Sequence, residues 1–580
     1  MDEITTDSEF SLLYPPGSAR PAGKDRWGEH TVEDLGLEQL AWDLCIDNKF
    51  QESIKQILME LNYDVDTISY RQEILVDFLE NPSVAAGLQD LLPTIAKLKY
   101  FAETGSQKIP LQETMSRLTE LNTYITCVRK IQQILTDAGD AVHSRGLANL
   151  RLLLAQVAEE PTFLSLEKNL PGLLAKLTTF PSITIGINLD SELMPVEATL
   201  LEIRDKQFKG GSYFDRLLGR KTGRKPNQGV GPLHEVPRKH IEGIDNRVVK
   251  INARYDPLLV PLFRDLFEIL RTILVPVTIE LKQYARVNVR LLFQLETEIA
   301  FYAGAVELVR RMQTAGLPMC RPQVDPIETR SCRIQGICNL ILALHQMESG
   351  GDSSHEEIVL NDVEFGPAGR IFILTGPNQG GKTVYTQAIG QAQAIFQAGL
   401  FVPAQSARMA PVDGIYTHFA TLEKTESGVG RLAEEAVRLN KIFHSITDKS
   451  LVLLNESLSS TSPGESLYLA RDVVHALRLY GVRAVFATHL HELAEGLDAV
   501  NSDVNGDSRV ISLVAGVELG DNQEIIGVDN AHPTYKIELA PPRGLSYAKG
   551  IAIRYGISFE QLTEHWKEQQ GEGKDQPQGG

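Results

Sequence analysis

One stretch limits what this chain can fold into more than any other: R-I-F-I-L-T-G-P-N-Q-G-G-K-T-V-Y-T-Q-A-I, from Arg370 to Ile389. Ile371 to Thr375 is a short apolar, β-branched run, the pattern of a buried strand. Tyr385, Ala388 and Ile389 then fall on one face of a helix. Between them Gly376-Pro377-Asn378-Gln379-Gly380-Gly381-Lys382-Thr383 fits G-x-x-x-x-G-K-S/T. Glycines there let backbone N–H groups turn inward around phosphate oxygens, where a Cβ would block the approach. Lys382 offers a point charge to the β- and γ-phosphates, Thr383 a hydroxyl to Mg²⁺, and the helix N-terminus its positive end. Strand, loop and helix in this order predict an α/β unit that takes a nucleoside triphosphate.

Two further strands aim at the same place. Ser450 to Leu454 is apolar throughout and ends in Asn455-Glu456. A carboxylate at such a strand end sits beside the γ-phosphate, where it can orient or deprotonate water. Val482 to Thr488 delivers His489 to the edge of the sheet at which α/β folds bind ligands. From that place His489 is read as a phosphate sensor, a purely structural histidine being the alternative. Glu423 to Glu435 is a Ser/Gly loop entering a helix, far along the chain from Lys382. Helix entries bind anions, and a phosphate on a partner subunit is one it could reach.

At 580 residues the chain exceeds what one hydrophobic core can serve, so several domains are expected. The 43% hydrophobic and 23% charged fractions suit a soluble protein. No apolar run approaches the ~20 residues of a membrane span. The acidic start M-D-E-I-T-T-D-S-E-F lacks the basic n-region of a secretory signal. Cys45, Cys127, Cys320, Cys332 and Cys338 are scattered without a C-x-x-C, which argues against zinc or a disulfide framework and for a reducing cytoplasm. With a net charge of −18, any nucleic-acid contact must come from a local basic patch.

In chain order, residues 1–34 look like an irregular arm rich in Pro, Gly and acidic side chains. Leu35 to about Leu177 is helical almost throughout, with helices expected over Ile68–Leu79 and Lys108–Leu135. Residues 182–203 change to alternation and β-branched residues, and read as strands. Residues 204–250 then carry twelve Lys and Arg against five Asp and Glu, a local balance of +7. Interspersed glycines suggest a loop whose cations could reach phosphates without fixing a register; a solvated polar linker fits the charge equally well. From Asp256 the chain is helical again, Pro276 should kink or break it, and a long helix follows from about Val277 to Ala315. Helices out and back with a basic insertion describe a lever with a tip.

A family resemblance rests on G-P-N-Q-G-G-K-T at 376–383, G-L-F-V-P-A at 399–404, P-V-D-G-I-Y-T at 411–417 and A-T-H-L-H-E-L at 487–493. P-T-Y-K-I-E-L at 533–539, G-L-S-Y-A-K-G-I-A at 544–552 and S-Y-R-Q-E-I-L at 69–75 add to it. Together these resemble the MutS DNA mismatch-repair proteins. The resemblance implies a multidomain α and α/β chain: a helical lever at 35–318 with a clamp-like insertion at about 182–255, then an ABC-type P-loop ATPase at 319–562. It implies ATP and Mg²⁺ as cofactors, a homodimer with composite ATP sites, and duplex DNA as partner. Gly376, Pro377, Asn378, Gln379, Gly380, Gly381, Lys382 and Thr383 would hold the nucleotide. Glu456 would be the general base, His489 the sensor, Thr383 and Asn455 the metal ligands, and Ser427 with Gly428 the start of the trans signature. Lys209, Arg216, Arg220, Lys221, Arg224 and Lys225 would meet DNA phosphates.

Three departures accompany the resemblance. Asn455 stands where the family has Asp, and an amide lacks the charge that holds Mg²⁺, so slow turnover is expected. Gly430-Arg431-Leu432-Ala433 replaces the S-T-F-M of the signature. About 35 residues precede the lever, too few for a mismatch-reading domain, and 563–580 reads as a disordered tail. The function expected is a dimeric, ATP-gated clamp on duplex DNA in mismatch repair or related repair and recombination. The alternative is a regulatory nucleotide-binding protein, or an ABC-type ATPase acting on protein partners with little hydrolysis.

Overall fold

The computed structural model describes residues 10–18, 26–104, 110–178, 182–209, 259–282, 284, 289–348, 357–420, 430–519, 531–542 and 556–570. It contains two compact units, neither of them one continuous segment. The first is Met1–Leu12, Ile46–Phe50 and Asp77–Ala303; the second is Leu13–Cys45, Gln51–Val76 and Gly304–Gly580.

The first unit is mainly helical. Pro110–Ala138, Arg145–Glu159, Pro161–Thr178 and Leu259–Lys282 are its longer helices. Leu118, Leu121, Leu166, Leu170, Val277, Leu281 and Tyr284 form one of its cores. The Asp77 carboxylate accepts from the backbone N–H groups of His143 (3.0 Å) and Ser144 (2.7 Å), and so seats the start of Arg145–Glu159. Pro276 does not break its helix, which runs on to Lys282. Leu266 and Leu270 before it, and Val277 and Leu281 after it, lie on one buried stripe. Burying four such side chains, at about 1.5–3 kcal/mol each, outweighs the ~3 kcal/mol an interior proline costs. The next helix, Arg290–Thr314, begins only after residue 289.

The strands expected at 182–203 are β1 (Ser182–Leu189) and β2 (Pro195–Arg204), an antiparallel hairpin. Asp190 closes its turn, its carboxylate accepting from the N–H groups of Glu192 and Met194, both at 2.9 Å. Lys209 is exposed just beyond it, whereas Arg216, Arg220, Lys221, Arg224 and Lys225 lie outside the described residues.

The second unit is built on two sheets. Its strands are β3 (Gln323–Val324), β4 (Cys332–Ile337), β5 (Asn361–Phe365), β6 (Ile371–Thr375), β7 (Ser406–Met409), β8 (Ile415–Phe419), β9 (Leu451–Asn455), β10 (Arg483–Ala487), β11 (Val510–Leu519) and β12 (Ala531–Leu539). The larger sheet has the order β12-β11-β6-β10-β9-β8. Its strands β11 to β8 are parallel, and β12 closes one edge antiparallel. Parallel strands buried on both faces need continuous apolar runs. I-F-I-L-T, L-V-L-L-N and R-A-V-F-A are accordingly buried along their whole length. The smaller sheet has the order β3-β7-β4-β5.

A linear boundary at 318 does not match this division, because residues 13–45 and 51–76 pack with the C-terminal unit. Arg71 shows why. It is fully buried, donates to Leu13 O (2.8 Å) and Glu60 Oε2 (2.8 Å), and fills the space that a Cβ on Gly399 would need. Gly390, on the helix Lys382–Gln397, likewise makes room for Leu35. The arm is correspondingly not all irregular: Leu13 is buried and Thr31–Asp34 is a helical turn.

At the other end, 563–570 belongs to a helix, Phe559–Gln570, where the sequence suggested disorder. Ser558 and Gln561 form a reciprocal capping box: Ser558 Oγ accepts from Gln561 N–H (3.3 Å), and Gln561 Oε1 accepts from Ser558 N–H (3.4 Å). Among the described residues no helix is long and apolar enough to cross a membrane.

Candidate nucleotide site

The C-terminal ends of β6, β9 and β10 converge on one cavity of about 640 Å³. Pro377 to Thr383, Glu456, Ser459, His489 and Tyr535 line it, and Ile337, Leu342, Ile358 and Val359 give it an apolar end. The loop after β6 has positive φ at Gly376 (+144°), Gln379 (+66°) and Gly381 (+86°). At Gly376 a Cβ would lie 2.7 Å from that of Ala515, so glycine is required there on two grounds. Gly381 is the N-cap of Lys382–Gln397, and no side-chain cap accepts from the first N–H groups of that helix. Its N–H groups therefore form an anion cradle.

Lys382 is 5% exposed and folds back over the loop, donating to Gly376 O (3.0 Å) and Pro377 O (3.1 Å). Its ammonium lies 3.4 Å from Glu456 Oε1. Glu456 Oε2 in turn pairs with His489 Nδ1 at 2.7 Å. Burial works against ionising Glu456, but the His489 hydrogen bond and the Lys382 charge together leave its pKa below the ordinary value. The same hydrogen bond raises the pKa of His489, against the effect of burial. Lys382, Glu456 and His489 thus form a continuous polar chain along the strand ends.

Thr383 Oγ donates to Asn455 Oδ1 at 3.2 Å, which brings the two expected metal ligands side by side. One hydroxyl and one amide oxygen are both neutral. Among the described residues no group of three or more His, Cys, Asp and Glu side chains could hold a metal. The pair fits Mg²⁺ only as a partial shell, with phosphate oxygens and water completing it.

Tyr535 was not singled out as a site residue by sequence reasoning, although P-T-Y-K was noted. It has φ +54° and lies beside Gly381, and its carbonyl accepts from Asn361 Nδ2 at 3.0 Å. Asn361 also accepts from Ile537 N–H at 2.7 Å, so one amide from β5 pins β12 against the cavity. Ser427 and Gly428 lie outside the described residues.

Comparison with known families agrees with this geometry. Residues 63–315 match the MutS2 N-terminal domain, and residues 372–533 match MutS domain V. The chain belongs to the MutS family. MutS domain V is an ABC-type ATPase domain, and it covers β6, the phosphate loop, β9, Glu456, β10 and His489. Curated relatives include a DNA mismatch repair protein MutS from Prochlorococcus marinus, 31% identical over 230 residues, 39% of this chain and 23% of that protein. A MutS from Caldanaerobacter subterraneus is 35% identical over 143 residues, 24% of this chain and 16% of that protein. An endonuclease MutS2 from Thermus thermophilus is 30% identical over 210 residues, 36% of this chain and 25% of that protein. The matches thus span a quarter or less of the length of these MutS-family relatives.

Proposed function

We propose that this chain is a slow ATPase that works as a dimeric, ATP-gated clamp on duplex DNA, in mismatch repair or related repair and recombination. The observation that carries this is the convergence of Lys382, Thr383, Glu456 and His489 on one cavity at the strand ends of a MutS domain V, with Asn455 bonded to Thr383 behind it.

The cradle N–H groups bind the phosphates, and Lys382 exchanges two carbonyls and a carboxylate for phosphate oxygens. Mg²⁺ bound with ATP neutralises phosphate charge, and Thr383 with Asn455 would hold it. Glu456, kept ionised by its partners, takes a proton from the attacking water. His489, tied to Glu456 through Nδ1, keeps Nε2 for the terminal phosphate and couples its presence to the carboxylate. Ser427 and Gly428 would complete the site of a second subunit. Lys209, Arg216, Arg220, Lys221, Arg224 and Lys225 would contact DNA backbone. ATP binding by the paired subunits would then close the helical arms.

Asn455 supports a second reading, a regulatory member that binds ATP and scarcely hydrolyses it. Turnover measured with Mg²⁺ and with Mn²⁺ separates the two. Duplex binding tests the clamp: about six phosphate contacts should give log affinity against log salt a slope near roughly −5. A flat plot would sink the DNA reading in favour of a protein partner.

A further inference from the structure

Glu456 reaches the cavity by an unusual route. An extended strand sends successive side chains to opposite faces, so Asn455 and Glu456 should not meet the same ligand. Here Asn455 bonds Thr383, which lines the cavity, while Glu456 lines the cavity itself and bonds His489. The difference is made at Glu456 itself, whose φ is +52°, and is followed by a second left-handed residue, Leu458, at +63°. Side chains other than glycine hold that conformation only where the surroundings over-determine it.

Those surroundings are specific. Glu456 N–H donates to Ala487 O of β10 at 2.8 Å. Ser457, 2% exposed, donates its hydroxyl to His418 O of β8 at 3.0 Å. With its proton so engaged, Ser457 Oγ accepts from His418 Nδ1 at 2.8 Å. Ser466 holds the far side of the turn by donating to Leu458 O at 2.7 Å. His418 is fully buried, and its Nε2 has no hydrogen-bond partner among the described residues. The ring is therefore neutral with its proton on Nδ1, and burial pushes its pKa down to about 4. Neither His418 nor Ser457 lines the cavity.

We propose that His418 and Ser457 are positioning residues for Glu456: their paired hydrogen bonds clamp the turn after β9 to β8 and so aim the carboxylate. This rests on the reading of Glu456 as the base. They touch neither nucleotide nor metal, so their loss should alter the chemical step and leave binding intact.

Steady-state ATP turnover and the affinity for a fluorescent ATP analogue, measured on the full chain, test the clamp. Ser457→Ala and His418→Leu should each lower kcat about tenfold or more and change nucleotide affinity less than twofold. Ser457→Thr keeps the hydroxyl, and His418→Asn places an amide donor where Nδ1 stood; both should recover kcat to within about threefold. A Ser457→Ala enzyme with wild-type kcat overturns the proposal. So does an equal loss of affinity and kcat, or failure of both conservative variants to recover turnover. If Ser457→Ala does not fold, His418→Leu against His418→Asn carries the same comparison. Glu456→Gln separates the two levels. If it hydrolyses normally, or if the wild type shows no turnover, the base assignment falls and the clamp with it. If Glu456→Gln is inactive while Ser457→Ala is not, the clamp alone falls.

Discussion

The end of β9 and the β1–β2 hairpin are both strand segments meeting a polar loop, and they differ in nearly everything else. Every residue of β9 is buried, and the next residue is bonded by β10, Lys382 and His489. Along the hairpin, Ile187, Leu189, Leu193 and Leu201 are all more than half exposed, and Leu193 reaches 76%. Where partners converge from three strands, a side chain has one place to go, and its chemistry follows from its address. On the hairpin, charge and exposure define a surface without defining a task.

The largest effect is expected at the buried site. Lys382→Ala removes several charge-assisted phosphate contacts and should weaken ATP binding at least ~100-fold, abolishing the ATP-induced rise in Tm. An unchanged shift would mean the cavity is not the nucleotide site. Asn455→Asp comes next, because it adds a formal charge beside Thr383. The Mg²⁺ concentration for half-maximal turnover should fall about tenfold, and kcat should rise. On the exposed side, Lys209→Ala should reduce the salt slope of duplex binding by roughly one, with no effect on nucleotide affinity.

Smaller still is the pH response of the Glu456–His489 pair. The folded pKa of His489 is raised above 6.5, so its contribution is complete below that pH and lost as pH rises through the raised value. The folded pKa of Glu456 is lowered below 4.5, so its contribution is complete above that pH and lost on acidification through the lowered value. Both are present together between about 4.5 and 6.5. Half-exposure of His489 limits the sum to under about 1 kcal/mol. NMR titration should find the His489 pKa shifted down in Glu456→Gln. Least of all, Leu193→Ser on the hairpin turn should change stability by no more than about 0.5 kcal/mol in thermal melts. A larger loss would show that the hairpin is not the bare surface the comparison makes it.

Legibility followed how local the physical cause was. The glycine-rich loop was readable because Gly376, Gly381, Lys382 and Thr383 stand close together in the chain, between one strand and one helix. The buried strands were readable because a parallel sheet leaves continuous apolar runs. The capping box Ser558–Gln561 was an equally local signal, outweighed by the polar composition beyond Trp566. Pro276 misled for the opposite reason: the stripe that carries the helix past it is buried by other helices. Tyr535 could be noted as part of a motif, yet its place beside Gly381 depends on β12 being held by Asn361.

The sequence alone determined a P-loop α/β unit of MutS type and its helical companion, since periodicity and a phosphate cradle depend on neighbours in the chain. It also placed Thr383, Asn455 and Glu456 at strand and helix ends, where the structure has them. Tertiary structure alone decided that residues 13–76 join the C-terminal unit in large part, that Asn455 bonds Thr383 while Glu456 lines the cavity, and that His418 grips Ser457. Those facts depend on strands far apart in sequence lying side by side, and on a left-handed turn that no local propensity favours. Close packing enforces both, and packing is a property of the assembled sheet.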